Sequence, residues 1–210
     1  MIRHLLQLIW NQRKQNAWLW AELLLVSVFL WFLVDYLYVM GRTYTAPLGF
    51  DVRHTYSIVI SSLSERSPDY IPKEKRERPD GVHLLTALDR IRTYPGVESA
   101  CLTDGGMPYY MGSRNLVWRI DTLQVPCRYA FVTPEFFDVF RIYDKDGKTA
   151  SLKRAIEDNN SIVISADVET MNPGLSLLGQ KAYRGNVTDE IEETIRGISV
   201  PIRRHEYTKA

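Results

Sequence analysis

The chain has 210 residues and a formal net charge of +1, with 26 Lys and Arg against 25 Asp and Glu. That balance makes no case for nucleic acid as a partner. Two cysteines are too few for a disulfide scaffold, and the residues after Gly41 suffice for one compact domain or two small lobes.

At the N-terminus, Leu5, Leu8 and Ile9 fall together on one helical face, and residues 11–16 are polar. This predicts an interfacial helix over 1–16 that leads into a far more apolar stretch. Trp18–Val39 reads WLWAELLLVSVFLWFLVDYLYV. As a helix it rises about 33 Å, enough for a hydrocarbon core roughly 30 Å thick. Ser27 is the one polar residue between Leu23 and Val34, and the stretch has no repeating polar face. Trp18 and Trp20 stand at one end and Tyr36 and Tyr38 at the other, as in the aromatic belts of a spanning helix. The expectation is a transmembrane helix over 17–40. A cleaved signal peptide fits poorly, because the apolar run is too long and no Ala-x-Ala site follows it.

Glu22 and Asp35 lie near opposite ends of this span. Their spacing rotates them roughly 140° apart, so they do not pair with each other. Each marks a membrane boundary or meets a neighbouring helix. Arg3, Arg13 and Lys14 precede the span, whereas Arg42 alone follows closely. The excess of positive charge predicts a cytoplasmic N-terminus and export of everything after about residue 41.

Beyond the span, Thr55–Ser61 (TYSIVIS) has the composition of a strand. Residues 62–81 form a polar excursion; its KEKRER group is interrupted by acids and flanked by Pro72 and Pro79, which predicts a solvated loop. Residues 83–94 predict a helix with Leu84, Leu85, Leu88 and Ile91 on one face, ended by Pro95-Gly96. Strands are expected at 97–104, 115–120 and 125–132. Thr133 then reads as a helix cap, with Pro134 at the first helical position. In the helix that follows, Phe136 and Phe140 share a face and should pack inward beneath the strand ending at Val132. Residues 160–165 predict another strand and 166–173 a helix or turn. Residues 197–203 predict a terminal strand at a sheet edge, because Pro201 cannot donate to a ladder. Strands and helices mix without a βα rhythm, so the fold class is α+β: an exported domain of mixed strands and short helices, anchored by one N-terminal transmembrane helix.

The chemistry-bearing residues form no recognisable set. His4, His54, His83 and His205 have no partner at metal-ligand spacing, and Asp144-Lys-Asp146-Gly147 lacks the acidic twelfth position of a calcium loop and reads as a turn. No phosphate-binding GxxxxGK[ST] and no GxSxG elbow occurs. No catalytic, cofactor-binding or metal-binding residue is nominated, and no cofactor is expected. Cys101 and Cys127 either pair in an oxidising compartment or remain reduced in apolar settings.

Three segments, YAFVTPEFFDVFRI (129–142), NNSIVISADVETMNPGLSLLGQKAY (159–183) and ETIRGISVPIRRHEY (193–207), together with the order of span then domain, resemble the N-terminal half of ABC transporter permeases of the MacB-like or FtsX-like class. The resemblance covers the span and most of the exported domain, which is that family's periplasmic core domain. It implies a permease subunit in the inner (plasma) membrane that works with a cytoplasmic ABC ATPase, with a second permease copy and other envelope proteins as further partners. Such permeases carry three more spans after the exported domain. The expected division is therefore a cytoplasmic or interfacial segment at 1–16, the span at 17–40, and a core domain at 41–210 of one or two lobes, incomplete at its C-terminal end. A single-pass, membrane-anchored extracytoplasmic binding or scaffold protein is the alternative.

Overall fold

This computed structural model describes residues 17–61, 63–72, 75–76, 79–109, 114–184 and 190–203, together with Arg3, Gln7, Trp10 and Lys14. The predicted interfacial face of Leu5, Leu8 and Ile9 lies outside the described residues. The chain divides into two compact units, one built on the first long helix and ending at Pro47, the other spanning Leu48–His205.

The first unit is dominated by helix α1, Ala17–Thr45, 29 residues long. It continues past the expected end at Met40 because nothing breaks it before Pro47. The residue before a proline is pushed out of the helical region, which stops the helix at Thr45. At that end the Thr45 hydroxyl donates to Gly41 O at 3.0 Å and to Arg42 O at 3.3 Å.

The second unit opens with residues 48–72, which form no helix or strand among those described, followed by α2, Asp80–Arg92. The expected strand at 97–104 shrinks to β1, Thr103–Asp104, which pairs only with β4, Phe131–Val132. The main sheet has five strands in the order β3-β2-β6-β7-β5. They are β2 (Arg114–Ile120), β3 (Leu123–Tyr129), β5 (Ser161–Ser165), β6 (Lys181–Arg184) and β7 (Ile191–Ser199). All neighbours are antiparallel except β5 and β7, which run parallel. Strands β2 and β3 form a hairpin through a two-residue turn, where Asp121 takes φ 53°, a conformation Asp tolerates better than most residues. β3 is an edge strand, which is why Pro126 is accommodated within it.

The edge expected from Pro201 is not found. β7 ends at Ser199, before the proline, and lies between β6 and β5. Its register shifts once: Ile162 pairs with Ile195 but Val163 with Gly197, leaving Arg196 as an inserted residue. This bulge changes the phase of the strand. Ile195 before it and Ile198 after it then face the same core, although they are three residues apart.

Both faces of the sheet are covered. One core cluster holds Trp118, Ile120, Ala182 and Ile195 under Val168 and Leu177, the former on α5 (Asp167–Met171). The other gathers Phe136, Phe137, Phe140, Ile142 and Leu152, with Val163 reaching it from β5. Its helices are α3 (Phe136–Val139) and α4 (Ala150–Ala155). The inward packing expected of Phe136 and Phe140 is therefore found, and Val132 borders the same cluster. The ring centroids of Phe136 and Phe140 lie 4.8 Å apart.

Thr133 does not cap α3, contrary to the reading of the Thr-Pro pair. The helix starts at Phe136, one step after Glu135, and Pro134 stands in the turn before it. The Thr133 hydroxyl instead accepts the Leu102 N–H at 3.1 Å, while Thr133 N–H donates to Leu102 O at 3.0 Å. The side chain thus extends the β1–β4 ladder by one step, and an oxygen committed there is not available to the helix terminus.

Candidate functional site

No residue of α1 is buried by the rest of the chain. Its apolar window has a mean hydropathy of 2.2, and the helix is long and apolar enough to cross a membrane. Trp18, Leu24, Leu25 and Trp31 are each more than two-thirds exposed. Covering such a side chain is worth about 1.5–3 kcal/mol, so a helix carrying a dozen of them is not stable bare in water. Among the described residues nothing covers α1, so it is not a core helix of the folded unit that follows it. Glu22 and Asp35 are both in α1 and both exposed, and the helix geometry keeps them about 20 Å apart along its axis.

In the second unit, the structure separates the residues singled out from the sequence rather than bringing them together. Cys101 packs against the phenylalanine cluster and Cys127 against the Trp118 cluster, and both are free thiols. Burial pushes the Cys101 thiol up to about 11, with the Glu135 carboxylate adding to the effect; burial raises Cys127 as well. Both are poor nucleophiles for that reason.

The Asp144–Gly147 stretch is a turn whose carboxylate is consumed internally. Asp144 Oδ1 accepts the N–H groups of Asp146 at 2.9 Å and Lys148 at 2.8 Å, and Oδ2 accepts the Ser151 hydroxyl. These bonds, the Ser151 hydroxyl foremost, hold the Asp144 carboxyl below the usual carboxylate range. Among the described residues, no group of three His, Cys, Asp or Glu side chains stands close enough to hold a metal ion.

Two exposed apolar features were not recognised as such from the sequence. Thr55–Ser61 has strand composition but joins no ladder among the described residues. Tyr56 is 87% exposed and Val59 86%. The expected strand is not found: its composition favours a strand, but pairing is non-local, and a strand is made by its neighbour more than by its own propensity. On α2, the predicted apolar face is only partly covered: Leu88 is buried, whereas Leu84 and Leu85 remain exposed. Exposed runs of this kind mark surfaces that meet another molecule.

No protein-family model matches the sequence, and no curated protein matches it. Among solved structures, the chain is similar to a crystal structure of a domain of a candidate permease protein from Porphyromonas gingivalis, with 21% identity and a TM-score of 0.42. The match covers 56% of this chain and 45% of that one, so this chain spans less than half the length of the structure it matches.

Proposed function

We propose that the chain is a permease subunit of an ABC transporter of the MacB-like or FtsX-like class, these residues forming its first span and its exported core domain. In this reading α1 crosses the inner membrane, the N-terminus is cytoplasmic, and the Leu48–His205 unit lies outside. ATP is hydrolysed by a partner ATPase and not by this chain, and the exported unit turns that cycle into extrusion or mechanical work in the cell envelope. The observation that carries the reading is a bare apolar helix of 29 residues followed directly by a separately folded α+β unit. The three segments quoted for the resemblance supply the rest of the support. In the described parts of two of them, the residues serve as core: Phe136, Phe137 and Phe140 in the first, and Val168, Leu177 and Ala182 in the second.

Purification from membranes in mild detergent tests it. The permease reading expects a cytoplasmic ABC ATPase in stoichiometric amount, with a second permease copy or other envelope proteins beside it. Recovery of envelope proteins alone favours the second reading, a membrane-anchored extracytoplasmic binding or scaffold protein. The exposed Tyr56–Ile60 run supports that alternative, since it offers an uncharged apolar segment with no ladder partner among the described residues.

A further inference from the structure

The segment that follows α1 in sequence does not join the folded unit as a loose linker. Arg203 N–H donates to Leu48 O at 2.9 Å, and Asp51 N–H donates to Phe140 O at 2.9 Å. Between these two bonds Gly49 takes φ +81°, and a Cβ on it would come within 2.0 Å of Pro201 O. Only glycine fits there, for backbone conformation and for space at once. Phe50 and Val52 pack against the phenylalanine cluster, and the Asp51 carboxylate lies 3.2 Å from the Arg141 guanidinium. On the far side, Val200 N–H donates to Tyr143 O at 2.9 Å, and Ser199 bridges Asp144. Three chain segments remote in sequence, 48–52, 140–144 and 199–203, are thus stitched together by backbone bonds.

We infer that Leu48–Val52 is a clamp that locks the segment entering the folded unit to the segment leaving β7, so that the two open and close as one piece. A displacement arriving at Pro47 is then passed to residues 199–203 and to the Phe140–Asp144 turn instead of being lost in slack chain. That consequence rests on the reading of α1 as a membrane span; the clamp itself does not. Gly49 is its narrowest point. The contact there is backbone on backbone, with no flexible side chain to give way.

Amide hydrogen exchange on the full chain in detergent micelles is the test. In the unmodified chain, the Asp51 and Arg203 amides should exchange with opening constants that agree within about threefold, because one local opening exposes both. Gly49→Ala should speed both together by about tenfold or more, while the β2 and β3 amides keep their protection. Asp51→Asn, which keeps every backbone bond, should speed the same pair by about two- to fivefold, and it serves if G49A does not fold. Acceleration at Asp51 with Arg203 unmoved overturns the clamp, and so does loss of protection throughout the sheet. Carbonate extraction reads the membrane assignment separately. Release of the chain with the Asp51 and Arg203 amides still coupled refutes the span and leaves the clamp.

Discussion

Gly197 on β7 lies against Val163 on β5 so closely that a Cβ at residue 197 would come within 2.9 Å of Val163 Cγ2 and 3.1 Å of Ala155 Cβ. The missing side chain lets α4 settle onto the sheet and brings Leu152 into the phenylalanine cluster. The backbone there is not in the left-handed region, so a substitution is resisted by packing alone. Overpacking of this kind costs about 1–3 kcal/mol, which outweighs the roughly 0.4–1 kcal/mol that alanine gains by stiffening the unfolded chain. Gly197→Ala should therefore lower stability, and Gly197→Val should lower it further. Urea unfolding of the detergent-solubilised chain measures this; an alanine variant as stable as the parent would refute the close contact.

Phe140 tests the same cluster from the opposite direction. It is 4% exposed and touches the ring of Phe136. Phe140→Ala removes a large buried ring and leaves a cavity, at a cost of about 3–5 kcal/mol if the surroundings do not collapse. A loss under about 0.5 kcal/mol in the same unfolding measurement would mean that the ring lies at the surface.

How far the fold could be read in the sequence depended on how local its cause was. β2, β5 and α2 were legible because the cues that fix them lie within a few residues. The single strand expected at 125–132 is instead split at Ala130 into β3 and β4, which join different sheets. Pairing, not local composition, decides where a strand ends. β6 and the first half of β7 were not. Lys181–Arg184 carries two charges in four residues, and it is a strand because β2 and β7 flank it. The five residues of Ile191–Ile195 include two glutamates, of which Glu193 is buried and lies 3.3 Å from Arg184. No local pattern announces a charge covered by a partner from the neighbouring strand. Thr133 failed differently: its cap signature was genuine, but Leu102, remote in the chain, holds the hydroxyl. Of the candidate site, α1 was legible almost completely. The clamp at Gly49 was not, because nothing around a single glycine names Pro201 as its neighbour.

The Asp138–Lys153 pair should give stability a defined pH window. Partial burial pushes the Asp138 carboxyl up, but hydrogen bonds from Lys153 Nζ at 2.5 Å and from the Thr149 hydroxyl at 2.6 Å outweigh it, leaving a net depression. Lys153 is raised by the same hydrogen bond. A depressed carboxyl contributes stability above its unfolded value, near 3.8, and loses it as pH falls through the lower folded value. A raised ammonium contributes below its unfolded value, near 10.5, and loses it as pH climbs through the higher folded value. The pair is thus fully effective between roughly pH 5 and 9. Asp138→Asn should flatten the acid limb of an unfolding-midpoint-versus-pH curve; an acid limb identical to that of the parent would rule the pair out as its cause.

The thiols make a prediction about chemistry. With Cys101 pushed up to about 11 and Cys127 also raised by burial, little thiolate is present at pH 8 in the folded chain. Alkylation by iodoacetamide should be slow for both and should speed up at least about tenfold on unfolding, when the thiols regain an ordinary value and full access. Because they lie in different core clusters, they should not bond to each other. Identical gel mobility with and without reductant is the expected result. A faster-migrating band lost on reduction would show an intramolecular disulfide and a packing other than the one described.

Orientation in the membrane is the most exposed commitment of the permease reading. The positive charges that decide it are Arg3, Arg13 and Lys14 ahead of α1, against Arg42 alone close behind it. Short segments rich in Lys and Arg are retained on the cytoplasmic side. If that orientation holds, Glu22 would lie toward the cytoplasmic end of the helix and Asp35 toward the outer end, where each could reach headgroups or a neighbouring helix without crossing the bilayer centre. Glu65 offers a clean reporter. It is exposed, and no hydrogen bond of the clamp or of either core cluster depends on it. A Glu65→Cys variant, with Cys101 and Cys127 changed to serine, should react with a membrane-impermeant maleimide on cells whose outer membrane alone is permeabilised. A cysteine placed at Lys14 in the same background should react only after the inner membrane is opened. If position 14 labels first and position 65 stays protected, the chain is inverted, and the folded unit faces the cytoplasm.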